Sequence, residues 1–177
     1  DSSSVDLLYY FLLFDLAKAF WFAAGKAKAW EDNCDLFLTV GEHLYRATVD
    51  EEGNPIVGAP ATESELLAAL ERVVREAKGG EIACDIETDS KDSIDAHLTA
   101  IAFATVDGGM SATWSALTMF PRVVVWLTQL FADPKQWWVW HNGIYDRVTL
   151  KRHGLPVVGA SGDCYIDSET EFLTLEG

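Results

Sequence analysis

Basic residues are scarce: 13 Lys and Arg stand against 28 Asp and Glu, a formal charge of −15. That balance excludes a simple electrostatic nucleic-acid binder, whose domain would carry a basic face, so any polyanionic partner must be held locally. Cysteine is scarce too. Cys34, Cys84 and Cys164 are odd in number, far apart and without C-x-x-C spacing, so neither a disulfide framework nor a zinc site is indicated and a reducing, cytoplasmic compartment fits best. The opening Asp1-Ser-Ser-Ser4 shows no Met and no signal-peptide architecture, as expected of a fragment or a processed chain. Hydrophobic residues, by contrast, make up 49% and aromatics 12%, which excludes a disordered chain. Seven Trp imply large buried or stacking surfaces. At 177 residues the chain can bury one principal core.

The longest hydrophobic run, Leu7 to Gly25, is interrupted only by Asp15 and Lys18. It is long enough to cross a bilayer. Each of those charges would cost roughly 2.5 to 3.5 kcal/mol there, which favours a helix buried against protein, with the two paired at i,i+3. Such a helix is apolar all round and needs covering on every side, by a domain outside this chain if none within it serves. Asp35 to Val57 is β-like, a hairpin or two short strands ending in a Glu-Glu-Gly-Asn-Pro turn. Thr62-Glu-Ser-Glu65 is a capping box, and Leu66, Leu67, Leu70, Val73, Val74 and Ala77 keep helical spacing until Gly79-Gly80.

Glu81-Ile-Ala-Cys-Asp-Ile-Glu-Thr88 follows as a short buried strand. Alternation puts Asp85 and Glu87 on one face and Ile82, Cys84 and Ile86 on the other. Two neighbouring carboxylates repel by a few kcal/mol in a partly buried site, on the order set by distance and dielectric, unless a proton or a cation intervenes. Mg²⁺ is the usual cation, and the bland alternative is a strand end releasing two solvated acids. Beyond a polar loop, Asp89 to Asp95, come a second strand, Leu98 to Val106, a turn at Asp107-Gly108-Gly109, and a third strand, Ser111 to Ser115. A helix from Pro121 runs to Asp133-Pro134, Trp137 to Trp140 is a fourth strand, and Ile144 to His153 is a helix stopped by Gly154. The order β-β-β-α-β-α specifies an α/β fold, a mixed sheet covered by helices with sites at strand ends.

The second constellation is His141-Asn-Gly-Ile-Tyr-Asp146, at the end of the fourth strand. Asn142-Gly143 is a strong hairpin signal and would carry no chemistry. Ile144 and Val148, one turn apart, and the basic last turn before Gly154 point instead to a helix on which Asn142 and Asp146 share a face. If the fourth strand neighbours the first, that face brings a third carboxylate toward Asp85 and Glu87. Trp137, Trp138 and Trp140 could stack bases, but a central strand favours core packing. His97 and His153 read as surface histidines, His141 only precedes the motif, and Asp163 and Asp167 read as caps of a following helix. Arg147, Lys151 and Arg152 form the one basic cluster near the proposed site, either steering a phosphate backbone or simply solvated.

Asp85-Ile-Glu87-Thr88, then Leu98 to Ala104, His-Asn142-Gly-Ile-Tyr145-Asp146 and Leu150-x-x-x-Gly154 resemble the proofreading 3′-5′ exonuclease domain of family A DNA polymerases, bacterial or phage, of the DnaQ-like, RNase H-like superfamily. The helix Glu63 to Lys78 and the segment Gly162-Asp163-Cys164 extend the likeness, over roughly Glu63 to Asp167 in all. RNase D-like nucleases share this core. The resemblance implies an RNase H-like mixed sheet for 61–177, incomplete at its C-terminus, behind an N-terminal extension, 1–60, of apolar helix and β hairpin. It implies that Asp85, Glu87 and Asp146 are catalytic metal ligands for two Mg²⁺ or Mn²⁺ ions, with Asn142, Tyr145 and Thr88 in support. The implied partner is a single-stranded DNA 3′ end, with a polymerase domain or another replication protein over the apolar helix rather than a membrane. The family's third motif, Tyr-x-x-x-Asp, should lie tens of residues beyond Asp146, and Tyr165-Ile-Asp-Ser-Glu169 imitates it too early in a polar tail. The competing expectations are an exonuclease-fold scaffold without activity and an RNase D-like enzyme that trims RNA.

Overall fold

The computed structural model describes residues 32–50, 55–92, 94–140, 143–166 and 172–176. Leu7 to Gly25 lies outside the described residues, and no helix among those described is long and apolar enough to cross a membrane. In chain order the elements are β1 (Cys34–Val40), β2 (His43–Val49), β3 (Pro55–Pro60), α1 (Glu63–Ala77), β4 (Glu81–Thr88), β5 (Leu98–Thr105), β6 (Gly108–Thr113), α2 (Trp114–Thr118), α3 (Pro121–Ala132), β7 (Trp137–Trp140), α4 (Gly143–Arg152), β8 (Ser161–Ile166) and β9 (Phe172–Glu176). The strands form one mixed sheet in the order β3-β2-β1-β6-β5-β4-β7-β8-β9. The helices flank it, the RNase H-like arrangement expected from the order of elements. β4, β5 and β6 are the antiparallel meander, while β7 lies parallel to β4 and β8 parallel to β7.

Alternation along β4 sorts its side chains cleanly. Ile82, Cys84 and Ile86 enter the main core with residues from every helix: Leu66, Leu70 and Val73 of α1, Leu117 of α2, Leu127 and Phe131 of α3, and Leu150 of α4. Ala83 faces the other way, into a small cluster with Ala102, Ala104 and Val139. The short β7 contributes two of the largest fully buried side chains, Trp138 and Trp140, and Trp138 stacks on Phe131 at 4.9 Å between ring centroids. The tryptophans therefore pack, as a central strand dictates.

α1 begins as its capping box requires. Thr62 is extended and its side chain accepts from the Glu65 N–H, while the Glu65 carboxylate accepts from the Thr62 N–H at 3.1 Å. Thr62→Ala should lower stability by about 1 kcal/mol, the usual loss for an N-cap oxygen, as read by urea denaturation. The helix closes on Lys78 in the left-handed region, at φ 52°, before Gly79 at φ 76°. Arg72 of α1 clamps the parallel junction of β1 and β6, donating to Asp35 at 2.7 Å and to the carbonyls of Gly109, at 2.7 Å, and Asn33.

Several expected boundaries change. The third strand is Gly108–Thr113, not Ser111 to Ser115: Thr113 caps α2 by accepting from the Ala116 N–H, so Ser115 is helical. Gly108-Gly109, expected in a turn, pairs with β5 and reaches β1, because a Cβ on Gly108 would stand 2.3 Å from the Asn33 carbonyl oxygen. β1 and β2 form the expected antiparallel hairpin, but Pro55 opens a further strand, β3, at the sheet edge, where a residue lacking an N–H is tolerated. Asp163 lies in β8 rather than capping a helix, and the expected polar tail contains β9; Asp167 and Glu169 fall outside the described residues.

Candidate active site

Because β4 and β7 are parallel neighbours paired at Glu81↔Trp137, Ile82↔Trp138 and Ala83↔Val139, their C-terminal ends open at the same edge of the sheet. Asp85, Glu87 and Thr88 lie at the end of β4, and α4 starts at the end of β7, a helix as the spacing of Ile144 and Val148 predicts. Asn142 lies outside the described residues. Asp146, only 4% exposed, occupies the first turn of α4, where the positive end of the helix dipole favours a carboxylate.

Tyr145 meets the strand end through its hydroxyl. That oxygen lies 2.6 Å from the Thr88 Oγ1, and both hydroxyls reach the Ser90 carbonyl, which has two lone pairs to accept them. The first motif, the second motif and the β4–β5 loop are thereby tied together. Next to this knot, Asp89 accepts from the His97 N–H at 2.7 Å and faces the His97 imidazole at 3.1 Å, contacts that lower its pKa. A cleft of about 590 Å³ opens here, lined by Glu87, Thr88, Asp89, Ser90, Lys91 and Tyr145.

The carboxylates themselves carry strain of an electrostatic kind. Glu87 has no hydrogen-bond or ion-pair partner among the described residues, and burial pushes its carboxyl up to about 7. The Cys84 thiol is raised first by burial and then by the carboxylates of Asp146 and Asp85, so both acids act on one buried point. The donors fit a hard divalent cation in their chemistry: oxygen ligands, clustered negative charge and one carboxyl without a counter-charge. Among the described residues no group of three His, Cys, Asp or Glu side chains is close enough to hold one ion.

A consequence of the raised Glu87 pKa is testable without activity. A carboxyl that keeps its proton to about 7 in the fold, against 4.5 ordinarily, adds no penalty below both values and its full penalty above both. The melting temperature measured in EDTA should therefore fall from pH 4.5 to above 7 more steeply for wild type than for Glu87→Gln. Identical profiles would mean that burial does not disfavour the charge.

The expected basic cluster does not line the cleft. Arg147 donates to the Gly143 carbonyl at 3.2 Å, Arg152 donates to the Ala96 carbonyl at 2.9 Å, and Lys151 is exposed. His153, expected on the surface, is partly buried: its Nδ1–H donates to the Thr149 carbonyl and its Nε2 accepts from the Leu98 N–H. His97 is exposed, as expected. Ser90 and Lys91 were not singled out by sequence, where they read only as part of a polar loop; their place directly after Asp-x-Glu-Thr was the available signal.

A family model described as 3′-5′ exonuclease matches residues 59–173. Among solved structures, the catalytic core of RRP6 from Trypanosoma brucei is 18% identical at a TM-score of 0.43, with 66% of this chain and 42% of that one covered. RNase D from Trypanosoma brucei, solved in complex with RNA U12, is 18% identical at a TM-score of 0.40, over 51% of this chain and 33% of its own. Brucella melitensis NrnC with bound Mg²⁺ is 19% identical at 0.36, over 46% and 40%. The chain thus spans less than half the length of these structures. No curated protein matches.

Proposed function

The chain belongs to the 3′-5′ exonuclease family, and on that premise we propose that it hydrolyses the 3′-terminal phosphodiester of single-stranded nucleic acid with a divalent cation held by Asp85 and Glu87 and completed by Asp146, although the described side chains do not by themselves bring three ligands within reach of one ion. Such a cation, Mg²⁺ or Mn²⁺ and two ions in the full form, supplies an acidified water and charge neutralisation at the phosphate. The chain's own groups do the rest. Asp85 and Glu87 offer carboxylate oxygens from a strand paired on both sides, Asp146 offers another from a buried helix turn, and the Tyr145, Thr88 and Ser90 contacts hold the wall of the cleft beside them. Water adds to phosphorus as the bond to the penultimate 3′-oxygen breaks, releasing a nucleoside 5′-monophosphate and a strand shortened by one residue.

The observation that carries the reading is Glu87: a half-buried carboxyl at the cleft, without a partner among the described residues, has a use for positive charge. The first reading, proofreading of DNA beside a polymerase domain, takes its support from the resemblance of the two motifs to the exonuclease domains of family A DNA polymerases. The second reading, RNA trimming, takes its support from the core shared with RNase D, whose Trypanosoma brucei structure was solved in complex with RNA U12. Incubation with 5′-labelled single strands of DNA and of RNA, in Mn²⁺ and in EDTA, separates the cases. A Mn²⁺-dependent ladder descending from the 3′ end is expected, the nucleic acid that is shortened decides between proofreading and trimming, and no shortening of either leaves an inactive scaffold.

A further inference from the structure

A polyanionic strand that approaches Glu87 enters a cleft that Asp89 also lines with a carboxylate, in a chain of formal charge −15. Repulsion of this kind must be offset close to the phosphate, since a screened, distant cation contributes little. Arg147 and Arg152 donate to the backbone carbonyls of Gly143 and Ala96, and neither lines the cleft. Lys91 does line it, and it is the one cation among the lining residues. Its side chain is exposed and forms no ion pair with an acid among the described residues, whereas the neighbouring Asp89 is engaged by His97.

The backbone that carries Lys91 is held from both sides. On its N-terminal side the Ser90 carbonyl accepts from Thr88 and Tyr145, so the peptide that joins Ser90 to Lys91 is tied to β4 and to α4 at once. On its C-terminal side the Asp92 N–H donates to the Ser90 Oγ at 3.1 Å and the Asp92 carboxylate accepts from the Ile94 N–H at 2.9 Å, folding the loop back on itself. A fixed backbone spares the cost of ordering the loop, so that meeting an anion costs only the rotamer freedom of the Lys91 side chain.

We propose that Lys91 is a substrate-binding residue that contacts a backbone phosphate of the single strand entering the cleft, with the Tyr145, Thr88 and Ser90 contacts as the device that positions it. The inference rests on the exonuclease reading and adds to it a contact that the two motifs do not contain. A Lys at this place binds phosphate as a point charge and reads no sequence.

The test is binding rather than turnover. Fluorescence anisotropy of a 5′-fluorescein-labelled oligothymidylate is followed against the full chain carrying Asp146→Asn in Mg²⁺, so that the strand stays intact, across a series of salt concentrations. Lys91→Ala should raise Kd roughly five- to tenfold and Lys91→Glu further, and the slope of log Kd against log salt should shrink by about 0.7, the value for one lost phosphate contact on a single strand. Lys91→Arg should restore both, and melting temperatures should match throughout, because the side chain is exposed. Unchanged Kd and slope in Lys91→Ala and Lys91→Glu, with the same strand still shortened by wild type, overturns the assignment of Lys91 and leaves the exonuclease standing. A wild-type chain that neither binds nor shortens the strand overturns both.

Discussion

Asp146→Asn is expected to slow Mn²⁺-dependent shortening of a single strand by about three powers of ten or more, equivalent to roughly 4 kcal/mol of transition-state stabilisation at 1.4 kcal/mol per tenfold. The substitution keeps the shape of a side chain that is only 4% exposed and removes its charge, so the loss reports on electrostatics rather than on a cavity. Its melting temperature is read beside the rate, because Asp146 sits where the α4 dipole favours a carboxylate while it also bears, with Asp85, on the buried Cys84. Single-turnover rates for wild type, Asp85→Asn and Asp146→Asn, each with its melting temperature, read the two effects separately. An Asp146→Asn protein that shortens the strand at the wild-type rate would remove this carboxylate from the chemistry.

Trp138→Ala should be the most destabilising single change in the core, by about 3 to 5 kcal/mol, the range for deleting a buried aromatic. For a domain of this size that is roughly 6 to 20 °C in melting temperature. Trp138 is fully buried, stacked on Phe131 and tilted against Phe103 at 6.0 Å and Trp140 at 5.8 Å, so truncation strips the contact from three rings. The consequence reaches the site because β7 is the strand that sets α4 beside β4. Trp138→Phe offers an internal control. The Trp138 indole N–H is buried without a hydrogen-bond partner among the described residues, so a phenyl ring that keeps the stack and discards an unpaired donor should cost far less. Equal losses in the two variants would place the stabilisation elsewhere than in the ring contacts.

Local signals account for much of what could be read without coordinates. Thr62 and Glu65 announce α1 because the capping box is a four-residue interaction, complete within the sequence that encodes it. The face shared by Asp85 and Glu87 follows from the period of a strand, and the helix after Gly143 from the spacing of Ile144 and Val148. Features that depend on distant partners were not legible. The parallel pairing of β1 with β6 joins residues 75 positions apart, and with β5 it turns Gly108-Gly109 from an apparent turn into paired strand. β3 was hidden by its prolines, which an edge position tolerates. Helical spacing shows that Arg147 and Arg152 are on an outer face, but not that their guanidinium groups turn back to the carbonyls of Gly143 and Ala96. For the same reason the residues of the β4–β5 loop gained meaning only once the Tyr145 hydroxyl was seen to reach the Ser90 carbonyl.

The central claim is that Asp85, Glu87 and Asp146 serve one divalent-cation site. Crystals of the chain grown with Mn²⁺, measured at a wavelength where manganese scatters anomalously, test it most directly. The account predicts anomalous density within coordination distance of the Asp85 and Glu87 carboxylates and of Asp146, lost in Asp85→Asn; strong density confined to other carboxylates, or none at β4 under conditions where the strand is shortened, would contradict it.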